Sequence, residues 1–337
     1  MSIMTPASAR TPAVTQAITL AKGLNQGLRA AMEADPKVIL MGEDVGRLGG
    51  VFRITDGLQK DFGDDRVIDT PLGESGIIGT AIGLAIRGYR PVCEIQFDGF
   101  VYPAYDQIVS QVAKMYYRSQ GKVKVPMVIR IPFGGGIGAV EHHSESPEAY
   151  FSHTAGLKVV ACSSPQDAYT MIQQAITSDD PIVFLEPKRR YHEKGDVDTE
   201  VTYPLHASRR LRPGSDATVL AYGPMVRTAL DAATAAAEDG RELEVFDLRT
   251  LSPLDLEPVY ESVRRTGRCV VVHEAPSNVG LGAEIAARIT EECFYSLEAP
   301  VLRVTGFDTP YPASRLEEDF LPDLDRVLDA IDRTFGW

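Results

Sequence analysis

Short apolar runs and longer segments with apolar residues at helical spacing alternate along this chain. "KVILMGEDV" (37–45) is an apolar strand running into acids, and "RVIDTPLGESG" (66–76) reads as a strand followed by a turn. "IIGTAIGLAIRG" (77–88) has the apolar content and length of a helix, and "RPVCEIQF" (90–97) is again a strand. "YDQIVSQVAKMYYRS" (105–119) repeats apolar residues at helical spacing, and "VPMVIRIP" (125–132) is a buried strand. "SPQDAYTMIQQAITS" (164–178) opens with a serine suited to cap a helix and a proline suited to its first position. "PIVFLEP" (181–187) closes this part. The alternation predicts an α/β domain over 16–187, with a mostly parallel sheet and helices on both faces.

The pattern then breaks. Residues 188–216 are charged, contain Pro and Gly and lack periodicity, which predicts a linker. A second, smaller α/β unit is predicted over 217–337. Its strands are "ATVLAYG" (217–223), "LEVFDLRTL" (243–251), "RCVVVHEA" (268–275) and "VLRVTG" (301–306). Its helices are the Ala-rich 225–240, then 255–265, 282–294 and one near 322–335. The polar stretch 1–15 lacks the apolar core of a signal peptide and is expected to be a disordered lead-in.

Composition narrows the function classes. The 337-residue chain carries a formal charge of −13, which disfavours a phosphate backbone as partner and suits a basic protein partner. No apolar run reaches membrane-spanning length, so a cytoplasmic protein with neither nucleic-acid nor membrane partner is expected. Cys93, Cys162, Cys269 and Cys293 are widely spaced and are expected to be reduced thiols.

"GGGIGAVEHHSESPE" (134–148) offers three chemistries. Gly134, Gly136 and Ala139 fit a dinucleotide fingerprint, but no helix opens at the glycines and no ribose-binding acid follows the next strand. The glycines instead permit close approach to a ligand or another backbone. Glu141, His142, His143, Glu145 and His153 lack the spacing of a zinc-binding helix, and adjacent histidines point apart. A solvated loop and a histidine presented to an active site both remain open on spacing.

"DTPLGESGIIGTAIGLAIRG" (69–88) is more informative. Glu74 stands where a glycine-rich helix begins, and Gly76, Gly79 and Gly83 give that helix a smooth face. Each interior glycine costs about 1 kcal/mol relative to alanine, so a run of them points to very close packing by a helix or a ligand. A desolvated carboxylate beside that face is suited to share a proton with a nitrogen base. A carboxylate that merely favours its own helix N-terminus fits the spacing equally well.

These segments, with "GEDV", "GGVFR", "EIQFDGF", "DQIV", "EHHSESPEAYFSHTAGLKVV" and "FDLRTLSPLD", resemble the beta subunits of thiamine-diphosphate-dependent 2-oxo acid dehydrogenases. The resemblance spans nearly the whole chain. It implies a pyrimidine-binding domain, a transketolase-type C-terminal domain and an α2β2 heterotetramer holding the cofactor between subunits. The family's alpha subunit usually supplies the diphosphate and Mg²⁺ site through a G-D-G motif, and no "GDG" occurs here. Residue by residue, Glu74 matches the glutamate that bonds the aminopyrimidine nitrogen and so helps activate the thiazolium carbon. Phe100 matches the stacking aromatic, Leu72 and Gln96 match pocket-lining positions, and Glu43 matches a second acid near the cofactor. His143 matches the histidine that faces substrate and the incoming lipoyl group of the acyltransferase. Some relatives hold a structural K⁺, and the ligands implied here are Val125, Met127, Val128, Ala175, Ser178 and Asp180, with Ser178 and Asp180 where relatives carry Asp and Asn.

The activity implied is oxidative decarboxylation of a 2-oxo acid with acyl transfer to a lipoyl domain. "GGVFR" and "HSESPEAYF" lean towards branched-chain substrates, with pyruvate as the alternative. A non-catalytic subunit that docks the acyltransferase core is the contrasting expectation. Single-chain transketolase-like enzymes would need a diphosphate half for which 337 residues leave no room.

Overall fold

The computed structural model describes residues 15–337. The lead-in expected over 1–15 therefore lies outside the described residues, except that Thr15 opens a strand, Thr15–Thr19.

Seven strands form the larger sheet. From edge to edge they are Thr250–Ser252, Lys158–Ala161, Ile182–Pro187, Val128–Phe133, Arg90–Glu94, Val38–Gly42 and Val67–Asp69. All neighbours are parallel except Thr250–Ser252, which runs antiparallel to Lys158–Ala161. The central strands are buried along their whole length, as strands covered on both faces must be. The smaller sheet has five strands in the order Leu302–Gly306, Cys269–Pro276, Ala217–Ala221, Leu243–Asp247 and Arg209–Arg212. Both units thus follow the alternation in the sequence.

The structure differs from the sequence reading in several places. Residues 188–216 are not featureless: Lys194–Asp198 pairs with Thr15–Thr19, and Arg209–Arg212 adds an edge to the smaller sheet. Their charged side chains hid them, because edge strands need no apolar run. The single strand expected over 243–251 is two. The chain turns at Arg249 (φ 54°), whose buried guanidinium pairs with Asp167, and the second piece crosses to the larger sheet. The helix expected over 105–119 is broken into a π-turn, Gln107–Val112, and a short helix, Met115–Arg118.

One face of the large sheet is covered by helices Leu20–Ala34 and Pro165–Thr177. Their contact is as close as glycine allows. A Cβ on Gly23 would stand 2.7 Å from the Pro165 carbonyl oxygen, and one on Gly27 would stand 2.4 Å from an Ile172 methyl. The other face is covered by helix Glu74–Ile86, the tight turn Asp98–Ala104 and the smaller unit. Ser164 caps helix Pro165–Thr177 by accepting from the Asp167 amide, with Pro165 at its first position. All four cysteines are free and buried.

Candidate active site

The site lies where strands Val38–Gly42 and Arg90–Glu94 end, beside the start of helix Glu74–Ile86. In open parallel sheets this carboxyl end is where ligands bind. Beneath it sits a wholly buried network. Arg130 donates to Glu94 (2.7 Å) and twice to Glu186 (2.6 and 3.0 Å), and the Tyr191 hydroxyl donates to Glu186 (2.7 Å). The carboxylates hold the guanidinium strongly protonated against its burial. This rigid ionic floor was not anticipated from the sequence. The available signal was a charge inside each of two apolar runs, "VPMVIRIP" and "PIVFLEP".

Glu43 and Glu74 stand together above the floor, each 8 % exposed. The Gly73 amide donates to Glu43 Oε1 (3.2 Å). Burial pushes the Glu43 carboxyl up, the Gly73 amide opposes this, and the charges of Glu74 and Asp44 push it further up. Gln96 donates to the Glu43 carbonyl (3.3 Å) and to Asp44 (3.1 Å), which ties the two strand ends together. No side chain caps helix Glu74–Ile86, whose N-cap is Gly73. Glu74 is therefore not engaged as a capping hydrogen-bond acceptor at its own helix end. Leu72 lies on the turn before it and is 85 % exposed.

An aromatic cluster adjoins this pair, since the turn Asp98–Ala104 packs on helix Glu74–Ile86. Phe100 is half-buried and meets Phe97 edge-on, with centroids 5.8 Å apart. The His143 ring lies 4.0 Å from the Phe97 ring and 5.1 Å from that of Phe100. Its Nδ1 is buried without a hydrogen-bond partner. Burial, then His142 and Lys188, lower its pKa, so the neutral imidazole prevails near pH 7. His142 is exposed, as are Glu141 and His153.

The histidine loop is pinned. A Cβ on Gly99 would lie 2.5 Å from the His142 carbonyl oxygen. Asp98 accepts from the Glu145 amide (2.8 Å) and forms a buried ion pair with Lys188. Asp98 and Lys188 are further residues that the sequence reading did not single out. Among the described residues, no group of three or more His, Cys, Asp or Glu is placed to hold a metal ion.

The glycine run before this loop serves the junction between the two units. The Gly135 amide donates to Glu274 (2.9 Å), and the Gly136 and Gly138 amides donate to Glu317 (2.9 and 2.8 Å). Gly134, Gly136 and Gly138 have φ of 80°, 87° and 71°, which only glycine adopts readily. Amides that could cradle a phosphate are thus occupied by carboxylates of the same chain. A cavity of about 930 Å³ at this junction is lined by Tyr150, His153, Leu281 and Arg288. It includes none of Glu43, Leu72, Glu74, Gln96, Phe100 and His143, among which Leu72 lies open to solvent.

That openness continues along helix Glu74–Ile86. A Cβ on Gly76 or Gly83 would meet nothing within 4 Å, and one on Gly79 would reach only the Gln107 side chain at 3.9 Å. Glycines in helix Leu20–Ala34 are filled by a neighbouring helix; these are not. A buried acid, an aromatic ring and a bare helix face fit one end of a flat, protonatable ring. The oxygens expected to bind K⁺ fit less well. The Met127 carbonyl accepts from Ile182 (2.9 Å), the Ala175 carbonyl from Ser178 (3.3 Å), and the Ser178 carbonyl from Arg90 (2.8 Å).

Residues 16–194 match the family model "Transketolase, pyrimidine binding domain", and residues 206–327 match "Transketolase, C-terminal domain". The chain is 61% identical over 333 residues to a pyruvate dehydrogenase E1 component subunit beta of Leifsonia xyli subsp. xyli, covering 98% of this chain and 99% of that one. It is 56% identical over 323 residues to a 3-methyl-2-oxobutanoate dehydrogenase subunit beta of Mycobacterium tuberculosis, covering 95% and 92%. A solved structure titled "Split gene transketolase, inactive beta4 tetramer" shares the fold at TM-score 0.78 and 20% identity, over 95% of this chain and 98% of that one. The chain belongs to the beta subunits of the 2-oxo acid dehydrogenases, a family built from transketolase pyrimidine-binding and C-terminal domains.

Proposed function

We propose that this chain supplies the pyrimidine half of a thiamine diphosphate site, completed by an alpha subunit in an α2β2 assembly. The observation that carries this reading is Glu74, a buried acid at the head of a helix where a Cβ on Gly76 or Gly83 would meet nothing within 4 Å among the described residues. In this reading Glu74 bonds the pyrimidine nitrogen and exchanges a proton with it. Glu43 stands beside it, its carboxyl pushed up by burial. Phe100 gives the ring a stacking face, and Leu72 and Gln96 line its edge. When bound, thiamine diphosphate supplies the electron sink that lets carbon dioxide leave a 2-oxo acid. Mg²⁺ and the diphosphate are held mainly by the alpha subunit.

His143 faces the same opening with a neutral imidazole. Its role is to orient the substrate, and a neutral imidazole can take up a proton and return it as the acyl group passes to a lipoyl group. The lipoyl-bearing partner is a dihydrolipoyl acyltransferase, and the charge of −13 suits docking on a basic domain of that protein. Among the described residues no helix is long and apolar enough to cross a membrane. A cytoplasmic complex agrees with that finding.

The substrate proposed is a branched-chain 2-oxo acid, in keeping with the 3-methyl-2-oxobutanoate and 2-oxoisovalerate dehydrogenase relatives. Pyruvate is the second reading, favoured by the relative at 61% identity. A substrate panel on the coexpressed alpha–beta pair decides between them. The expected result is a kcat/KM for 3-methyl-2-oxobutanoate at least about 10-fold above that for pyruvate, the selectivity that one or two methylene contacts provide. A preference for pyruvate overturns the branched-chain assignment and leaves the family placement standing.

A further inference from the structure

The C-terminal end of helix Pro165–Thr177 is where the family resemblance would place a structural K⁺. A helix end presents carbonyl oxygens without partners and a partial negative charge, so it calls for a cation or for donors. In this chain a side chain already answers that need. Arg90 Nη1 donates to the carbonyls of Ile176 (3.0 Å) and Ser178 (2.8 Å). Its Nη2 donates to Asp179 (3.1 Å), and its Nε stands 3.8 Å from Asp35. Lys124 adds a second cation, 2.7 Å from the other Asp179 oxygen. Lys124 and then Arg90 hold the Asp179 carboxyl below its usual range.

The sheet sets this arrangement. Arg90 begins the strand whose Val92 pairs with Val128, which brings its side chain beside the 125–128 segment. Three more of the oxygens implied as ligands are engaged as well. Met127 accepts from the Ile182 amide, Ala175 from the Ser178 amide, and the Ser178 hydroxyl from the Asp180 amide (3.1 Å). A guanidinium has five donors in a fixed fork and stays charged at every relevant pH. A K⁺ held by the Ser178 carbonyl, which Arg90 already occupies, would sit within a few ångström of that charge and be repelled.

We infer that Arg90 replaces a monovalent cation at the C-terminus of helix Pro165–Thr177, so that this chain holds its fold without potassium. The test is the thermal midpoint of the full chain in KCl, NaCl and choline chloride at equal ionic strength. Wild type is expected to melt within about 1 °C in all three. Arg90→Met is expected to melt about 2–4 °C lower in choline chloride, the shift that a loss of about 2 kcal/mol gives in a chain of 337 residues. A rise of several degrees specific to KCl in the wild type overturns the inference, as does an unchanged midpoint in Arg90→Met. The wild-type comparison stands by itself should the variant fold poorly. Failure here would leave the Glu74 site untouched, because neither measurement involves turnover.

Discussion

Glu74→Gln, assayed with the alpha partner, is expected to lose turnover by about 10²- to 10⁴-fold, the range of a positioned proton-transfer group. The variant keeps the size of the side chain and removes only its capacity to hold and return a proton. Its fold should survive. The charge at the start of the helix is worth about 0.3–1 kcal/mol through the helix dipole. Loss of the repulsion between Glu74 and the adjacent Glu43 offsets part of that. No capping hydrogen bond is lost, because none is made there by a side chain. A purely structural role predicts the reverse pattern: a lower thermal midpoint and ordinary turnover. Measuring kcat and the midpoint on one preparation separates the two, and unchanged kcat would remove Glu74 from the chemistry.

Gly83→Leu should have opposite effects on the chain and on the assembly. In the chain alone its side chain would enter open space, since a Cβ at Gly83 meets nothing within 4 Å. Replacing an interior helical glycine stabilises a helix by up to about 1 kcal/mol, so the isolated chain should be as stable as before or slightly more so. In the proposed assembly this glycine face packs against a helix of the alpha subunit, and the added atoms enter that contact. Overpacking of that kind costs about 1–3 kcal/mol, a 5- to 150-fold loss of affinity for the alpha subunit. Size-exclusion chromatography of coexpressed subunits, with melting of the lone chain, reads both effects. Undiminished assembly in Gly83→Leu and Gly76→Leu together would show that this face is not the contact.

The same helix shows what could be read in the sequence. Its apolar content, its glycines and its leading acid were legible because each leaves a local signature. Whether Glu74 was a cap or an active-site acid was not legible, because both place an acid at a helix start. The structure adds what no local pattern holds: no side chain caps that helix, and Glu43 is brought beside Glu74 from a different strand. Most strands of the two sheets were legible because they are buried and apolar, though Lys158–Ala161 was not assigned. Lys194–Asp198 and Arg209–Arg212 were not, since edge strands carry charge. Helix Leu20–Ala34 went unassigned although Leu20, Leu24 and Leu28 mark a buried stripe.

The glycine run teaches a related lesson. Its spacing suggested amides free to meet a ligand, and the structure shows them bound to Glu274 and Glu317. Those acids lie more than a hundred residues further along, beyond the reach of any local pattern. The Asp98–Lys188 pair is hidden for the same reason, with ninety residues between its partners. Sequence reading named candidate pieces of a site; long-range pairing decided which of them stand together.

The central claim is that this chain carries half of an active site. It is tested most directly by following reduction of an artificial electron acceptor by 3-methyl-2-oxobutanoate, with thiamine diphosphate and Mg²⁺ present. The chain, its alpha partner and their mixture are assayed separately at equal concentration. Turnover is predicted in the mixture and in neither subunit alone. Turnover by this chain alone would contradict the account.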